Sequence, residues 1–341
     1  MRVLVIGGTG FIGPSVVRRL HEQGHKVAVF HRGVTRVNLP AEHILGNRED
    51  LAELKPESDV VIDLILSSGA QAQSLMDAFR GSAGRVVAAS SMDVYRACGV
   101  LHGSEEGPLE PVPLTENSAL RTQSQTYPAA RLHALRKVFP WLDQEYDKIA
   151  VERAILGDSQ LPGAILRLPM VYGPGDHLRR FQPVVKRIVD GRRAILFEEN
   201  WAAWRSPRGF VENVAEAIAL AALSPQAAGR IYNVAEMPAF SELEWAQMIA
   251  ASAGWDGRMV TLPKDKMPAH LVMPGNPAQH WDADSSRIRN ELGYREPVAL
   301  EEAIRRTVEW ERAQRQDAFD ARLFDYAAED TALGQTSTSH G

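Results

Sequence analysis

Gly7, Gly10 and Gly13 are the residues of this 341-residue chain whose type and spacing most directly permit chemistry with a ligand. They sit in Gly7-Gly8-Thr9-Gly10-Phe11-Ile12-Gly13, directly after the apolar run Arg2-Val3-Leu4-Val5-Ile6. Ile12, Val16, Val17 and Leu20 then recur at helical spacing, and Gly24 stands where a helix stop belongs. In a strand–turn–helix context the glycines acquire separate tasks. Gly7 and Gly10 keep the turn tight and let the backbone approach a pyrophosphate. Gly13 lets the helix lie close on the sheet, and the helix N-terminus offers unpaired N–H groups to the anion. The expectation is a dinucleotide site, with Thr9, Phe11 and Ile12 among its contacts.

Further residues extend that chemistry. A second strand, Lys26–Phe30, runs into His31-Arg32-Gly33, where NAD sites usually place an acid on the ribose hydroxyls. No acid occurs between Glu22 and Glu42, whereas Arg32 and Arg36 are present. A guanidinium pairs with a 2′-phosphate and stacks on adenine, so NADP is preferred over NAD. A third strand, His43–Leu45, ends in Gly46-Asn47-Arg48, which brings Asn47 and Arg48 towards the adenine. Strand four, Asp59–Leu66, adds Leu64 and Ile65 at its carboxyl end, and strand five, Arg85–Ser91, adds Ser90 and Ser91. A serine pair capping an apolar strand is either a helix cap or a functional hydroxyl, and spacing alone does not choose.

The elements that must position these residues alternate. A helix near Ala70–Phe79 separates strands four and five, and strand six follows at Gly163–Leu168 after a helix from about Glu145 to Asp158. Such alternation predicts an α/β, Rossmann-type doubly wound parallel sheet, with ligands at the strands' carboxyl ends. Residues 96–125 read as a long surface loop, often an active-site cover. Beyond Pro169–Asp176 the alternation decays into helices at Leu178–Asp190, Val211–Leu223 and Leu300–Arg315, with strands at Ala194–Phe197 and Arg230–Ala235. The expected division is a dinucleotide-binding domain over 1–170, with 205–235 returning to it. A smaller, discontinuous C-terminal α/β lobe for substrate covers 171–316, and a tail over 317–341 ends in disorder.

The totals narrow the classes. A net charge of −5 gives no global case for nucleic acid or an acidic membrane surface, and the small basic face of Arg131, Arg136 and Lys137 reads as solvated. The single cysteine, Cys98, excludes an internal disulfide and suits a packed hydrophobe in a reducing compartment. His21 and His25 have ligand-like spacing, but Gly24 interrupts them, so no metal site is expected. No apolar run approaches a membrane span, and the first strand begins at residue 2, so a soluble cytoplasmic protein is expected.

The chain also resembles the extended short-chain dehydrogenase/reductase family, the NAD(P)-dependent epimerase/dehydratase group. The resemblance runs from residue 1 to about 315. It is carried by the glycine turn, Ser90-Ser91-Met92-Asp93-Val94-Tyr95, Lys148 with Glu152, and Arg167–Gly175. It continues in Arg208-Gly209-Phe210-Val211, Gly229–Val234 and the segment from Leu292 to Trp310. The resemblance implies hydride transfer at a carbinol or ketone carbon of a sugar-nucleotide-like substrate, by an epimerase, dehydratase or reductase. It assigns Ser91 to polarising the substrate, Lys148 to the nicotinamide ribose, Pro169 and Val171 to the nicotinamide, and Arg208 to a substrate diphosphate. It further implies a homodimer packed through helices near 75–95 and 145–157.

Two departures bear on mechanism. The family's tyrosine stands four residues before its lysine, yet here that position is Gln144 and the nearest tyrosine is Tyr146. On a regular helix, two residues lie about 200° apart, so Tyr146 and Lys148 would face opposite sides. Either the backbone is irregular at Tyr146, the provisional acid/base, or Lys148 acts without it. The second departure is a missing arginine around Met273–Asn276; Trp201, Trp204 and Arg205 either stack and pair with the substrate instead or form a buried edge of the smaller lobe. Gln144 favours the alternative reading, a catalytically weak NAD(P)-binding sensor or RNA-associated protein.

Overall fold

In the computed structural model, which describes residues 1–35, 37–124, 127–314 and 321–337, seven strands form one parallel sheet. They are β1 (Arg2–Ile6), β2 (Lys26–His31), β3 (Glu42–Leu45), β4 (Val60–Asp63), β5 (Arg85–Ser91), β6 (Gly163–Leu168) and, much later, Ile231–Asn233. Their spatial order runs β3-β2-β1-β4-β5-β6 and ends on Ile231–Asn233, beside β6. The order reverses between β1 and β4, so a crevice opens at the carboxyl ends of those two strands. Register aligns the ends: Ile6 pairs with Asp63 and Asp63 with Ala88. Gly7, Leu64 and the β5 serines therefore emerge on one edge.

The central strands are largely apolar because both faces are covered, whereas the edge strand β3 is mostly exposed. Helix α1 (Gly13–Glu22) lays Val16, Val17 and Leu20 on one face, in a core shared with the helix Val211–Leu223. On the other face α2 (Leu51–Leu54) is short, and α3 (Gly69–Phe79) packs Leu75, Met76 and Phe79 with Val151 and Ile155 of the helix Lys148–Leu156. Each helix is held by an apolar stripe rather than by propensity alone.

Residues 96–125 are not all loop. Arg96–His102 form α4, whose residues Ala97–Leu101 are buried, and Gly103 ends it with φ 74°. This helix is apolar all round, so no amphipathic stripe marks it in the sequence. Next come α5 (Ala129–Val138) and α6 (Lys148–Leu156), which starts later than expected because Asp147 caps it: the Asp147 carboxylate accepts from the Ile149 N–H at 2.9 Å.

The remaining elements build the smaller layer. Strand β7 (Met170–Tyr172) pairs with β9 (Arg208–Phe210), and β8 (Ala194–Glu198) with β11 (Arg258–Leu262); β10 is the Ile231–Asn233 strand. Helices α7 (Gln182–Val189), α8 (Glu199–Ala203), α9 (Val211–Leu223), α10 (Glu242–Ser252), α11 (Ser286–Leu292), α12 (Leu300–Ala313) and α13 (Tyr326–Ser337) complete the chain. The tail was expected to end in disorder, over Thr331–Gly341. Instead Tyr326–Ser337 are helical, and buried Glu329 within them takes two bonds from the Arg187 guanidinium, at 2.6 and 3.2 Å. Residues 338–341 lie outside the described part.

Candidate active site

The glycine turn has the shape its spacing implies. Gly7 has φ +81°, and Gly8 would drive a Cβ into Val29. A Cβ on Gly13 would lie 2.4 Å from the Gly8 backbone, so that glycine is bare for helix–turn packing. Gly10 differs: its φ is not left-handed, and a Cβ there meets only the Gly7 carbonyl, at 3.5 Å. Neither backbone strain nor packing requires a glycine at position 10. The bare backbone there leaves room for a close approach, and no side chain caps the α1 N-terminus beside it. Thr9, Phe11 and Ile12 are half-buried around the turn, and Ile65 packs against Gly7. A dinucleotide's pyrophosphate fits this cradle.

At the carboxyl end of β2, Arg32 is exposed and, among the described residues, unpaired; Arg36 lies outside them. Asn47 is exposed too, with its N–H on the Asp50 carboxylate at 2.9 Å. Arg48 is not free for a ligand phosphate. It forks onto Asp63 at 2.8 and 3.2 Å, a carboxylate fully buried at the end of β4. Its guanidinium is thereby spent on the sheet edge.

At the β5 end the two serines separate. Ser90 is buried and donates to Glu152 at 2.6 Å; Glu152 also takes both prongs of Arg167, at 2.8 and 3.0 Å, and Arg167 reaches the Tyr95 hydroxyl at 3.0 Å. Burial pushes Tyr95 up to about 12. Ser90, expected at the cofactor, thus belongs to a structural network. Ser91 Oγ accepts from the Asp93 N–H at 3.2 Å and caps a short turn, which leaves its O–H free to donate.

Tyr146 and Lys148 do not oppose each other, because Tyr146 precedes the Asp147 cap and is not on the helix. Its ring centre is 6.0 Å from Lys148 Nζ. Lys148 is buried and donates to the Leu66 and Ala89 carbonyls at 2.5 and 3.0 Å. An ammonium has three donors, so one stays for a further acceptor such as a ribose hydroxyl. Burial lowers Lys148 to about 8 against the pull of Asp93, Asp63 and Glu152.

The sequence reading passed over the group that joins these residues. Asp93 is buried, and its Oδ2 accepts from the Tyr146 hydroxyl at 2.7 Å and from Tyr127 at 3.1 Å. Its Oδ1 has no partner among the described residues. Burial and the Asp93 charge raise Tyr146 and Tyr127 well above the usual phenol range. Trp141 stands 5.5 Å from Lys148 Nζ, within cation–π distance.

In β9, Arg208 is buried over Trp245, with its Nη2 at 2.6 Å from both Glu242 oxygens. The expected diphosphate arginine is therefore already paired. Arg205 reaches the Ala239 carbonyl and Glu244. Trp201 and Trp204 are buried edge-to-face, 5.3 Å apart, and so form the lobe's buried edge rather than a stacking platform. Pro169 precedes β7 and packs near Gly209, while Val171 lies within β7 and its carbonyl accepts from Arg180.

A family model described as the NAD dependent epimerase/dehydratase family matches residues 3–235. The chain belongs to that family. It is 25% identical over 342 residues to a dTDP-glucose 4,6-dehydratase of Streptomyces niveus, covering 92% of this chain and 94% of that one. It is 27% identical over 297 residues to a 2'-dehydrokanamycin reductase of Streptomyces kanamyceticus, covering 75% and 76%. Among solved structures, MoeE5 with UDP-glucuronic acid and NAD aligns at TM-score 0.65 and 21% identity, over 92% of this chain and 99% of that one. UDP-N-acetylglucosamine 4-epimerase from Bacillus cereus aligns at 0.66 and 17%, over 92% and 100%. Among the described residues, no helix is long and apolar enough to cross a membrane, and no cluster of three metal-ligating side chains occurs.

Proposed function

We propose that this protein is a nicotinamide-dependent oxidoreductase of the epimerase/dehydratase type, acting at a carbinol or ketone carbon of a sugar-like substrate. The observation that carries the reading is Asp93: its amide donates to Ser91 Oγ and its carboxylate accepts from Tyr146, so both hydroxyls are anchored on one residue just past the carboxyl end of β5. The bound nicotinamide supplies hydride exchange at carbon. Ser91 donates to the substrate oxygen, Tyr146 handles its proton, and Lys148 offers its third N–H to the ribose. Gly10 and the α1 N-terminus take the pyrophosphate, with Leu64, Ile65, Pro169 and Val171 as apolar walls.

NADP is the cofactor we favour. Arg32 supports it, exposed at the end of β2 where no described residue from 31 to 41 is acidic. The substrate belongs to the sugar-nucleotide class of the relatives or to their nucleotide-free ketones, and the Arg208–Glu242 pair weighs towards the latter. We assign a homodimer through the outer faces of α3 and α6, to be checked by light scattering.

The test is to titrate purified protein with reduced NADP and NAD, then follow cofactor absorbance across nucleotide sugars, free keto-sugars and simple ketones. Tighter NADP binding and consumption with at least one ketone are expected. Retained cofactor with no turnover on any substrate would overturn the enzymatic reading and favour a binding protein.

A further inference from the structure

We propose that Asp93 is the far end of a two-step proton relay, in which Tyr146 passes the substrate's proton to a carboxylate and never works as a phenolate. The proposal rests on the oxidoreductase reading above. Its geometry is the buried Asp93 carboxylate, with Tyr146 at 2.7 Å and Tyr127 at 3.1 Å on the same oxygen.

A hydrogen bond has a direction. The Tyr146 O–H donates to Asp93 Oδ2, so the lone pairs of Oη remain to accept. In the oxidative direction the substrate O–H bond breaks and an Oη–H bond forms, while the original Oη–H bond breaks and an Oδ2–H bond forms. The hydride leaves carbon for the nicotinamide, the substrate becomes a ketone, and Asp93 ends as a neutral acid. Reduction reverses each bond change, as microscopic reversibility demands. A lysine-stabilised phenolate is opposed by the neighbours: an anion 2.7 Å away works against a second negative charge, and carbonyls take two of the three Lys148 donors. Tyr127 is a positioning residue, holding the carboxylate from the segment just before α5.

The charged and titratable groups facing Asp93 are few. Tyr127 and Tyr146 bond its carboxylate, and Arg121 Nε bonds its backbone carbonyl at 2.6 Å. The Lys148 ammonium and the buried Cys98 thiol act at longer range. One layer out, Asp147 lies 3.7 Å from Arg121, and His102 and Arg131 touch the Tyr127 ring. His102 is lowered to about 4 by burial, so it is neutral where the relay works. No described base stands closer to the phenols than Asp93 itself.

Four variants test the relay: Asp93→Asn, Tyr146→Phe, Tyr127→Phe and the Asp93→Asn/Tyr146→Phe double. Asp93→Asn and Tyr146→Phe should each lower kcat by about 100-fold or more, the range of general acid–base contributions, with cofactor Kd within about twofold of the parent. Because the steps are in series, the double variant should be no worse than the poorer single one. Tyr127→Phe should cost only a few-fold, with an altered pH profile. The acidic limb of the oxidative pH profile should disappear in Asp93→Asn. A readout free of turnover uses 3-fluorotyrosine at positions 127 and 146 in the cofactor-free protein. Both fluorine signals should shift in one common acidic transition that Asp93→Asn abolishes. Parent-like kcat in Asp93→Asn, multiplying losses in the double variant, or independent fluorine titrations would each overturn the relay. A parent protein that binds no dinucleotide or turns over no substrate overturns the underlying reading instead.

Discussion

Replacing Gly10 by alanine separates a glycine kept for a ligand from one kept for the fold. The added Cβ meets only the Gly7 carbonyl, at 3.5 Å, and the backbone there is not left-handed. The substitution therefore costs the cofactor-free protein nothing in contacts and stiffens its unfolded chain, worth about 0.4–1 kcal/mol of added stability. Towards a pyrophosphate the same methyl holds the anion off the turn. Losing one charge-assisted hydrogen bond at about 1.5–3 kcal/mol raises the dinucleotide Kd about 10- to 150-fold. Gly13→Ala is the control, since its Cβ would overlap the Gly8 backbone at 2.4 Å. It should lose about 1–3 kcal/mol of stability to overpacking. Thermal unfolding of the cofactor-free proteins gives the first quantity, and energy transfer from tryptophan to the reduced cofactor gives the second. A folded Gly10→Ala protein with unchanged Kd would refute the assignment of this turn, and one that melts as early as Gly13→Ala would refute the distinction.

Further outcomes follow from buried charge. Burial lowers Lys148 from 10.5 to about 8, so between those pH values the unfolded chain holds a proton that the folded one has released. Stability should rise with pH across that window and carry the full cost below it, about 3 kcal/mol; Lys148→Met should flatten this rise in urea unfolding measured at successive pH values. Glu152→Gln leaves the buried Arg167 without its paired carboxylate and should cost about 3–5 kcal/mol in the same assay. Glu242→Gln releases the Arg208 guanidinium and should tighten binding of UDP-sugars several-fold by calorimetry, while leaving uncharged ketones unaffected.

What was legible in the sequence was local. The glycine turn could be read because strand, glycines and helix follow one another directly in the chain, and strands covered on both faces announce themselves as apolar runs. The proton site could not, for two physical reasons. The angular argument separating Tyr146 from Lys148 presumed a shared helix, yet Asp147 caps that helix and leaves Tyr146 outside its periodicity. An aspartate just before an apolar-periodic run is a cap signal, and weighing it would have moved the helix start. Asp93 itself stands two residues after Ser91 in the string that carried the resemblance. Its importance comes from Tyr127, 34 residues on, and Tyr146, 53 residues on, which spacing along the chain does not bring together. The same holds for Arg208, whose charge is claimed by Glu242 across two elements. A cation's availability depends on its partners in space, so the sequence could nominate Arg208 and Arg48 but only the folded neighbours could withdraw them.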